Sequence, residues 1–218
     1  MMFINREEAG KLLANKLINY KDNKEVVIVA IPRGGVPVGF EIANKLNAPL
    51  EIVLSKKIGH PFNKEYAIGA VTLEKSILSD GAKEVSPVYI YEETEQVRAL
   101  LKKRHQLYYG ENKPLSLKDK IVILVDDGIA TGNTIISCIQ LLQLQKPSKI
   151  VVALPVAPNS SLRKIREIPE VNEVICLSVP VNFQAVGQFY EEFDQVNDHE
   201  VVEILKKTKV SFSSKELK

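Results

Sequence analysis

Tryptophan is absent, cysteine and methionine occur twice each, and neither sign of charge dominates: 29 Lys and Arg stand against 27 Asp and Glu in 218 residues, a formal net charge of +2. A chain so nearly neutral has no overall basic field of the kind that nucleic-acid binding requires, so any anion site must be local. The two cysteines, Cys138 and Cys176, lie inside the apolar runs IISCIQLL and VICLSV and read as small buried hydrophobes. No apolar run approaches the roughly 20 residues of a membrane-spanning helix. The opening MMFINREEAGKLL has neither a basic-then-apolar leader pattern nor the Arg/Ser-rich composition of a transit peptide. A cytoplasmic protein is the expectation, with the sequon Asn159-Ser160-Ser161 accidental. There is no internal repeat and no low-complexity segment.

What is present is the balance of a soluble globular protein, 45% hydrophobic and 26% charged, in a length that suits one α/β domain with a full core. Asn5 is placed to cap a helix from about Arg6 to Tyr20. Val26 to Ile31, Ile121 to Val125 and Ile150 to Val156 are continuous apolar runs, the pattern of strands buried on both faces. Leu50 to Leu54 and Val174 to Val179 are shorter candidates. Helical patterns fill the intervals at Val36 to Leu46, Thr134 to Leu144 and Asn159 to Ile168. Strand and helix alternate, which predicts an α/β fold: a mostly parallel sheet with helices on both faces. Two stretches depart from this. Gly59 to Lys83 reads as a loop and then a hairpin, IGAVTL and SILS around Glu74-Lys75, with a turn at Asp80-Gly81. Ser86-Pro87 opens a long helix ending near Tyr109-Gly110, and a short helix near His199 to Lys207 precedes the polar tail KTKVSFSSKELK. The expected single domain spans 1–218, with a core at about 24–178 and a small C-terminal hood at about 179–197.

The chemistry concentrates in IVILVDDGIATGNTIISCIQLL, Ile121 to Leu142: a strand, two acids, a Gly/Thr-rich turn, then a helix. In an open parallel sheet, ligands bind beyond the carboxyl ends of the strands, where Asp126 and Asp127 fall. Gly128 and Gly132 let backbone N–H groups approach a ligand, Thr131 and Thr134 add hydroxyls, and the turn opens a helix N-terminus that favours phosphate. Two carboxylates beside a monophosphate cradle call for a spacer whose hydroxyls donate to the acids, so the implied ligand is a phosphorylated sugar. Only Ile129-Ala130-Thr131 separates the two glycines and Asn133 follows, which excludes the ATPase P-loop; no G-x-G-x-x-G occurs either. A second loop, Pro32-Arg33-Gly34-Gly35, ends the first buried strand and offers a guanidinium with accessible N–H groups to another anion.

On these residues the chain resembles the type I phosphoribosyltransferases, whose signature of strand, two acids and Thr/Gly loop is matched by Val122 to Thr134. The resemblance spans Val26 to Tyr190 and is strongest to a bacterial subgroup sharing the Lys57-Ile58-Gly59 loop start, the Ile68-Gly69-Ala70-Val71 segment and a tail like Val179 to Phe193. It implies a parallel sheet with flanking helices, a small hood and a hairpin or flexible-loop insertion. It also implies transfer of the phosphoribosyl group of phosphoribosyl pyrophosphate (PRPP) to a nitrogenous acceptor, a nucleobase in the simplest case, with release of pyrophosphate.

The resemblance assigns the ribose hydroxyls to Asp126 and Asp127, and the 5-phosphate to Gly128, Ile129, Ala130, Thr131, Gly132, Asn133 and Thr134. Pyrophosphate falls to Arg33, Gly34, Gly35, Lys56 and Lys57, with Lys57 counted among the catalytic groups beside the two acids. Ile58 to Ala67 stands where the family keeps a mobile catalytic loop, in which His60 either meets pyrophosphate or is inert. Mg2+ is the expected cofactor, bridging ligand oxygens rather than held in an all-protein cage. Ala130 stands where hypoxanthine-guanine enzymes carry an Asp, which argues against a standard 6-oxopurine enzyme. Phe183 and Tyr190 of the hood either stack on an acceptor ring or form hood core. The expected partners are PRPP and a small acceptor, with a homodimer as the family's common assembly and no membrane or nucleic acid. A PRPP-sensing regulator without catalysis is the main alternative. A basic groove would favour it, and Arg98 to His105 is the one candidate, though it reads as the solvated face of a helix. A PRPP synthetase would need a longer, two-domain chain.

Overall fold

The computed structural model describes residues 1–73, 75–110 and 114–213, with Glu65 and the last five of these as backbone only. In chain order the elements are α1 (Arg6–Lys16), β1 (Val26–Ala30), α2 (Gly35–Leu46), β2 (Leu50–Ile52), β3 (Lys56–His60), β4 (Asn63–Val71), β5 (Ser76–Leu78), α3 (Pro87–Tyr109), β6 (Ile121–Val125), α4 (Asn133–Gln143), β7 (Lys149–Val156), α5 (Asn159–Arg166), β8 (Val171–Ser178) and α6 (Asp198–Ser213).

Five of the strands form a wholly parallel sheet in the order β2-β1-β6-β7-β8. Their continuous apolar runs are explained by burial on both faces. Val26, Ile28 and Ala30 of β1, with Ile123 and Val125 of β6, face Leu13 of α1, Ile42 of α2 and Val201 of α6. Val27 and Val29, with Val122 and Leu124, face the opposite way onto Ile135 and Ile139 of α4 and Leu162 and Ile165 of α5. A buried Val or Ile side chain contributes about 1.5–3 kcal/mol, so this two-sided burial stabilises the sheet far more than strand propensity does. Because α1 and α6 pack in the same cluster as β1 and β6, the core extends beyond 24–178 toward both termini.

The boundaries shift modestly from the sequence expectation. The first helix stops at Lys16, with a separate 3-10 turn at Ile18–Tyr20, and its cap is the one expected: the Asn5 Oδ1 accepts from the Glu8 N–H at 3.0 Å. Ser86 makes no side-chain cap to α3 despite its position before Pro87. The last helix runs well past Lys207 to Ser213, and residues 214–218 of the polar tail lie outside the described residues.

The larger difference lies between β2 and α3. Lys56–His60, which runs into the stretch Ile58 to Ala67 expected as a mobile loop, is a strand, and it pairs antiparallel with β4, which pairs with β5. Ile58, Ile68 and Val71 of this sheet bury against Val97 and Leu101 of α3, and that shared cluster draws the segment into a strand. The expected hairpin exists as β4 and β5, although Glu74 of its connection lies outside the described residues. Asp80-Gly81, expected as a turn, begins a 3-10 segment at Asp80–Glu84 that buries Ala82 in the same cluster.

Candidate functional site

The chain builds β2 on one side of β1 and then β7 and β8 on the far side of β6, so strand order reverses between β1 and β6. A crevice at the carboxyl ends of the strands is expected at such a point. The two sequence-predicted loops meet there, because Ala30 pairs with Val125 and the Ile31 N–H donates to the Val125 carbonyl at 2.8 Å. Pro32-Arg33-Gly34-Gly35, with a cis Pro32–Arg33 peptide, leaves one strand while Asp126-Asp127 leaves its neighbour. Their contact explains both glycines. A Cβ on Gly34 would stand 2.0 Å from the Asp127 Oδ2, and one on Gly35 would stand 2.8 Å from the Val125 carbonyl oxygen.

The loop into α4 is held by its surroundings. Gly128 has φ +152°, and a Cβ there would lie 2.6 Å from Val186 and 2.8 Å from Val156, so both backbone and space require glycine. The Ile129 N–H donates to the Val156 carbonyl at 3.1 Å, and the Ser161 hydroxyl of α5 donates to the Ala130 carbonyl at 2.5 Å. The Ile129 side chain is buried among Leu154 and Leu162, so within the predicted phosphate loop it is an anchor whose backbone alone is available. Ala130, Thr131, Asn133 and Thr134 face solvent. Gly132 takes a left-handed φ of +79° and caps α4 without any side-chain hydrogen bond. Its neighbour Asn133 N–H reaches only the Thr131 Oγ1, at a long 3.5 Å. The first turn of α4 therefore presents N–H groups to the crevice, where an anion is favoured.

The two acids are set differently. Asp126 turns its Oδ1 back to accept the Asp127 N–H at 2.9 Å. Burial, and after it the neighbouring Asp127 charge, raise its pKa well above the usual carboxylate range. Asp127 is also raised by burial, but the Arg6 guanidinium opposes the shift. The Arg6 Nε donates to the Asp127 Oδ2 at 2.8 Å, with the two side chains 12% and 14% exposed. Arg6 is itself fixed: one terminal N–H donates to the Asp194 carbonyl at 2.7 Å, and its guanidinium lies 3.9 Å over the Phe193 ring. Arg6, Arg33, Gly34, Asp127, Phe193, Gln195 and Val196 line a cleft of ≈ 360 Å³.

Other predicted residues are placed as follows. Tyr190 is 5% exposed, packs against Phe3 and Phe193, and donates its hydroxyl to the Asp127 carbonyl at 2.6 Å. The ring is enclosed between Phe3 and Phe193. Phe183 stacks on Phe189 at 5.4 Å and remains half-buried on the hood. Lys56 and Lys57 stand on the antiparallel sheet, opposite Val71 and Ala70, and are not among the residues lining the Asp127 cleft. His60 sits near Phe62 and Tyr66 and accepts the Phe62 N–H at its Nδ1 over 3.3 Å. The sequence reading did not find Arg6, Phe193 or Ser161. Arg6 did carry a signal, because a cation in the first turn opposes the helix dipole and calls for a partner.

A switch-point crevice with paired acids, an uncapped Gly/Thr phosphate turn and an Arg-Gly-Gly loop defines the phosphoribosyl transferase class, and residues 4–187 match the phosphoribosyl transferase domain, so the chain belongs to that family. Within it, the chain is 35% identical over 217 residues to Rv0571c of Mycobacterium tuberculosis (strain ATCC 25618 / H37Rv), named as a candidate phosphoribosyl transferase. The same values hold for MT0597 of strain CDC 1551 / Oshkosh. The match covers 97% of this chain and 48% of each of those proteins, so the chain spans about half the length of the curated relatives it matches. The crystal structure of TT1426 from Thermus thermophilus superposes with a TM-score of 0.84 at 34% identity, over 95% of this chain and 99% of that one. The AQ2163 protein of Aquifex aeolicus, 17% identical with a TM-score of 0.50 over 80% of this chain and 74% of that one, shares the fold. No helix among the described residues is long and apolar enough to cross a membrane.

Proposed function

We propose that the chain binds PRPP at the carboxyl ends of β1 and β6 and transfers its phosphoribosyl group to a nitrogenous acceptor, a nucleobase in the first instance, releasing pyrophosphate. The observation that carries the reading is the direct packing of Gly34 and Gly35 on Asp127 and Val125, which sets an anion loop against a sugar-binding acid pair and a phosphate turn. Each feature has a partner in PRPP. The 5-phosphate takes the N–H groups and hydroxyls of the Gly128 to Thr134 loop, and pyrophosphate takes Arg33 with the N–H groups of Gly34 and Gly35. Two acids crowded together with little water are unfavourable when empty, and ribose hydroxyls donating to them supply the hydrogen bonds they lack.

In the reaction a nitrogen lone pair of the acceptor forms the bond to C1 of the ribose, and the C1–O bond breaks with its electrons leaving on pyrophosphate. The positive charge that develops on the ribose is met by the carboxylates of Asp126 and Asp127, and the negative charge of the leaving group by Arg33 and, from the antiparallel sheet, by Lys56 and Lys57. Mg2+, bound through the oxygens of PRPP itself rather than in an all-protein cage, would neutralise the leaving pyrophosphate. No covalent intermediate is needed. Burial pushes the Cys138 thiol up to about 12, which keeps it protonated and out of nucleophilic chemistry.

The test is incubation with PRPP and Mg2+ across a panel of nucleobases and amines, with pyrophosphate release followed by a coupled assay. Acceptor-dependent release, lost in Asp127→Asn, is expected. By calorimetry the same variant is expected to lose about 1.5–3 kcal/mol of PRPP affinity, the value of a hydrogen bond to a charged group. Unchanged affinity overturns the ribose assignment, and tight PRPP binding without turnover on any acceptor replaces the transferase with a PRPP sensor.

A further inference from the structure

We infer that Arg6 is a positioning residue for the reaction: from the first turn of α1 it holds the Asp127 carboxylate by its Oδ2 and so sets the orientation in which that acid meets the ligand. The inference rests on the reading of Asp126 and Asp127 as the acids that receive the ribose hydroxyls.

The geometry supports it at several points. Arg6 reaches Asp127 across 121 residues of sequence because the N-terminus is stitched to the hood: the Phe3 N–H donates to the Phe189 carbonyl at 2.8 Å, and the Glu191 and Glu192 N–H groups return to the Phe3 and Ile4 carbonyls at 2.9 and 2.8 Å. The helix start is then locked. Asn5 caps the Glu8 N–H, and the Glu8 carboxylate accepts the Ile4 N–H at 2.6 Å. From that fixed base the guanidinium spends one N–H on the Asp194 carbonyl and its flat face on Phe193, and directs its Nε at the Asp127 Oδ2. Phe193 stacks on Tyr190 at 4.9 Å, and Tyr190 donates to the main-chain carbonyl of Asp127. The circuit Arg6, Phe193, Tyr190, Asp127 closes on itself, so both the backbone and the side chain of one acid are held by the N-terminus and the hood together. Among the described residues Asp126 makes no ion pair of this kind; its hydrogen bonds are with Asp127, whose N–H its Oδ1 accepts.

Clamping has an electrostatic consequence. The groups that face Asp127 are Arg6 from α1, Asp126 from its own loop, Tyr190 from the hood, and Arg33 across the shared cleft. Burial and the adjacent carboxylate favour a proton on the pair, while the Arg6 bond opposes protonation of Asp127. A protonated carboxyl accepts ribose hydroxyls poorly, so PRPP binding falls as pH drops through the Asp127 titration. Removing Arg6 moves that fall to higher pH.

The experiment is calorimetric titration of PRPP with Mg2+ into the wild-type chain, Arg6→Gln, Arg6→Lys and Asp127→Asn, repeated from acid to neutral pH, with circular dichroism confirming that each variant is folded. Arg6→Gln is expected to bind PRPP about tenfold more weakly near neutrality, the loss of one charged hydrogen bond, and to shift the acid limb of binding to higher pH. Arg6→Lys is expected to restore most of the limb, which a merely structural role would not produce. Loss of affinity in both Arg6 variants with the limb unmoved overturns the inference, as does wild-type behaviour of Arg6→Gln beside a crippled Asp127→Asn. Should Arg6→Gln not fold, Arg6→Met, which keeps a long side chain over Phe193 without the charge, takes its place: an acid limb displaced upward supports positioning, and a lowered plateau with no displacement overturns it. Wild-type affinity in Asp127→Asn is a separate result, because it removes the ribose reading underneath rather than the role of Arg6 within it.

Discussion

The parallel and antiparallel sheets are built to different standards. The central strands β1, β6 and β7 of the parallel sheet are covered on both sides, by α1, α2 and α6 on one face and α4 and α5 on the other. The three-stranded sheet has a single small cluster, shared with α3, and its β3–β4 tip exposes Phe62 almost completely. The acid pair, the phosphate turn and the Arg-Gly-Gly loop all grow from the first, whereas Lys56 and Lys57 belong to the second. On the proposed reading, the residues assigned to the ribose and 5-phosphate are rooted in the better-covered part of the molecule, and the lysines assigned to the leaving group in the less covered part, where local opening costs least. The largest effect is expected from cutting into the well-covered sheet. Ile123 is fully buried at its centre, and Ile123→Ala is expected to cost about 2–5 kcal/mol in denaturant unfolding. A loss below about 1 kcal/mol, the ordinary cost of an arbitrary substitution, would remove the distinction between the two sheets.

A second substitution separates what the rigid sheet does for stability from what it holds for the ligand. Asp126 has a folded pKa raised by burial and by Asp127. The native state therefore binds that proton more tightly than the unfolded chain, whose Asp titrates near about 3.9. The sign follows: stability is highest below the unfolded value and falls as pH rises through the folded one, so at neutral pH the charged pair is a net cost. Asp126→Asn keeps an acceptor for the Asp127 N–H and removes one charge. It is expected to raise the Tm of the ligand-free protein at neutral pH by a few degrees, about 1 kcal/mol being roughly 2–4 °C for a chain of this size, while weakening PRPP binding. The gain should vanish as pH is lowered toward about 4. A lower Tm at neutral pH would mean that the pair is held ionised at no cost.

The same contrast decides what the sequence alone reveals. The strands of the parallel sheet are legible because two-sided burial leaves unbroken apolar runs such as Val26 to Ile31, and the acid pair and phosphate turn are legible because their chemistry is contiguous in Ile121 to Thr134. β3 is hidden because Lys56-Lys57-Ile58-Gly59-His60 has one large apolar residue, and the partners that bury it, Ile68 and Leu101, come ten and forty-three positions later. Tyr190 could be placed in the hood but not on Asp127, since nothing local tells a tyrosine that stacks on a ligand from one that donates to a carbonyl 63 residues away. That the partner of Arg6 is Asp127 is hidden for the same reason. Residues that recognise ligands through local backbone shape can be read from a sequence, and residues that act through a side chain across the fold require the fold.

The smallest effect is expected at the tip of the antiparallel sheet, and it is the sharpest test of what that sheet is for. Phe62 is 94% exposed in the turn between β3 and β4, its ring 5.7 Å from His60, and its own N–H, which a substitution keeps, makes the bond to His60. An aromatic left in water adds almost nothing to stability, so Phe62→Ser is expected to change the unfolding free energy by less than about 0.5 kcal/mol. Denaturant midpoints with an unchanged slope would establish this. With stability held constant, the kinetics of pyrophosphate release then report on the tip alone. Unchanged kcat and KM would make the sheet a passive carrier of Lys56 and Lys57. A raised KM would show that the tip folds over bound PRPP, in which case the exposure of Phe62 is a property of the open state that ligand binding removes.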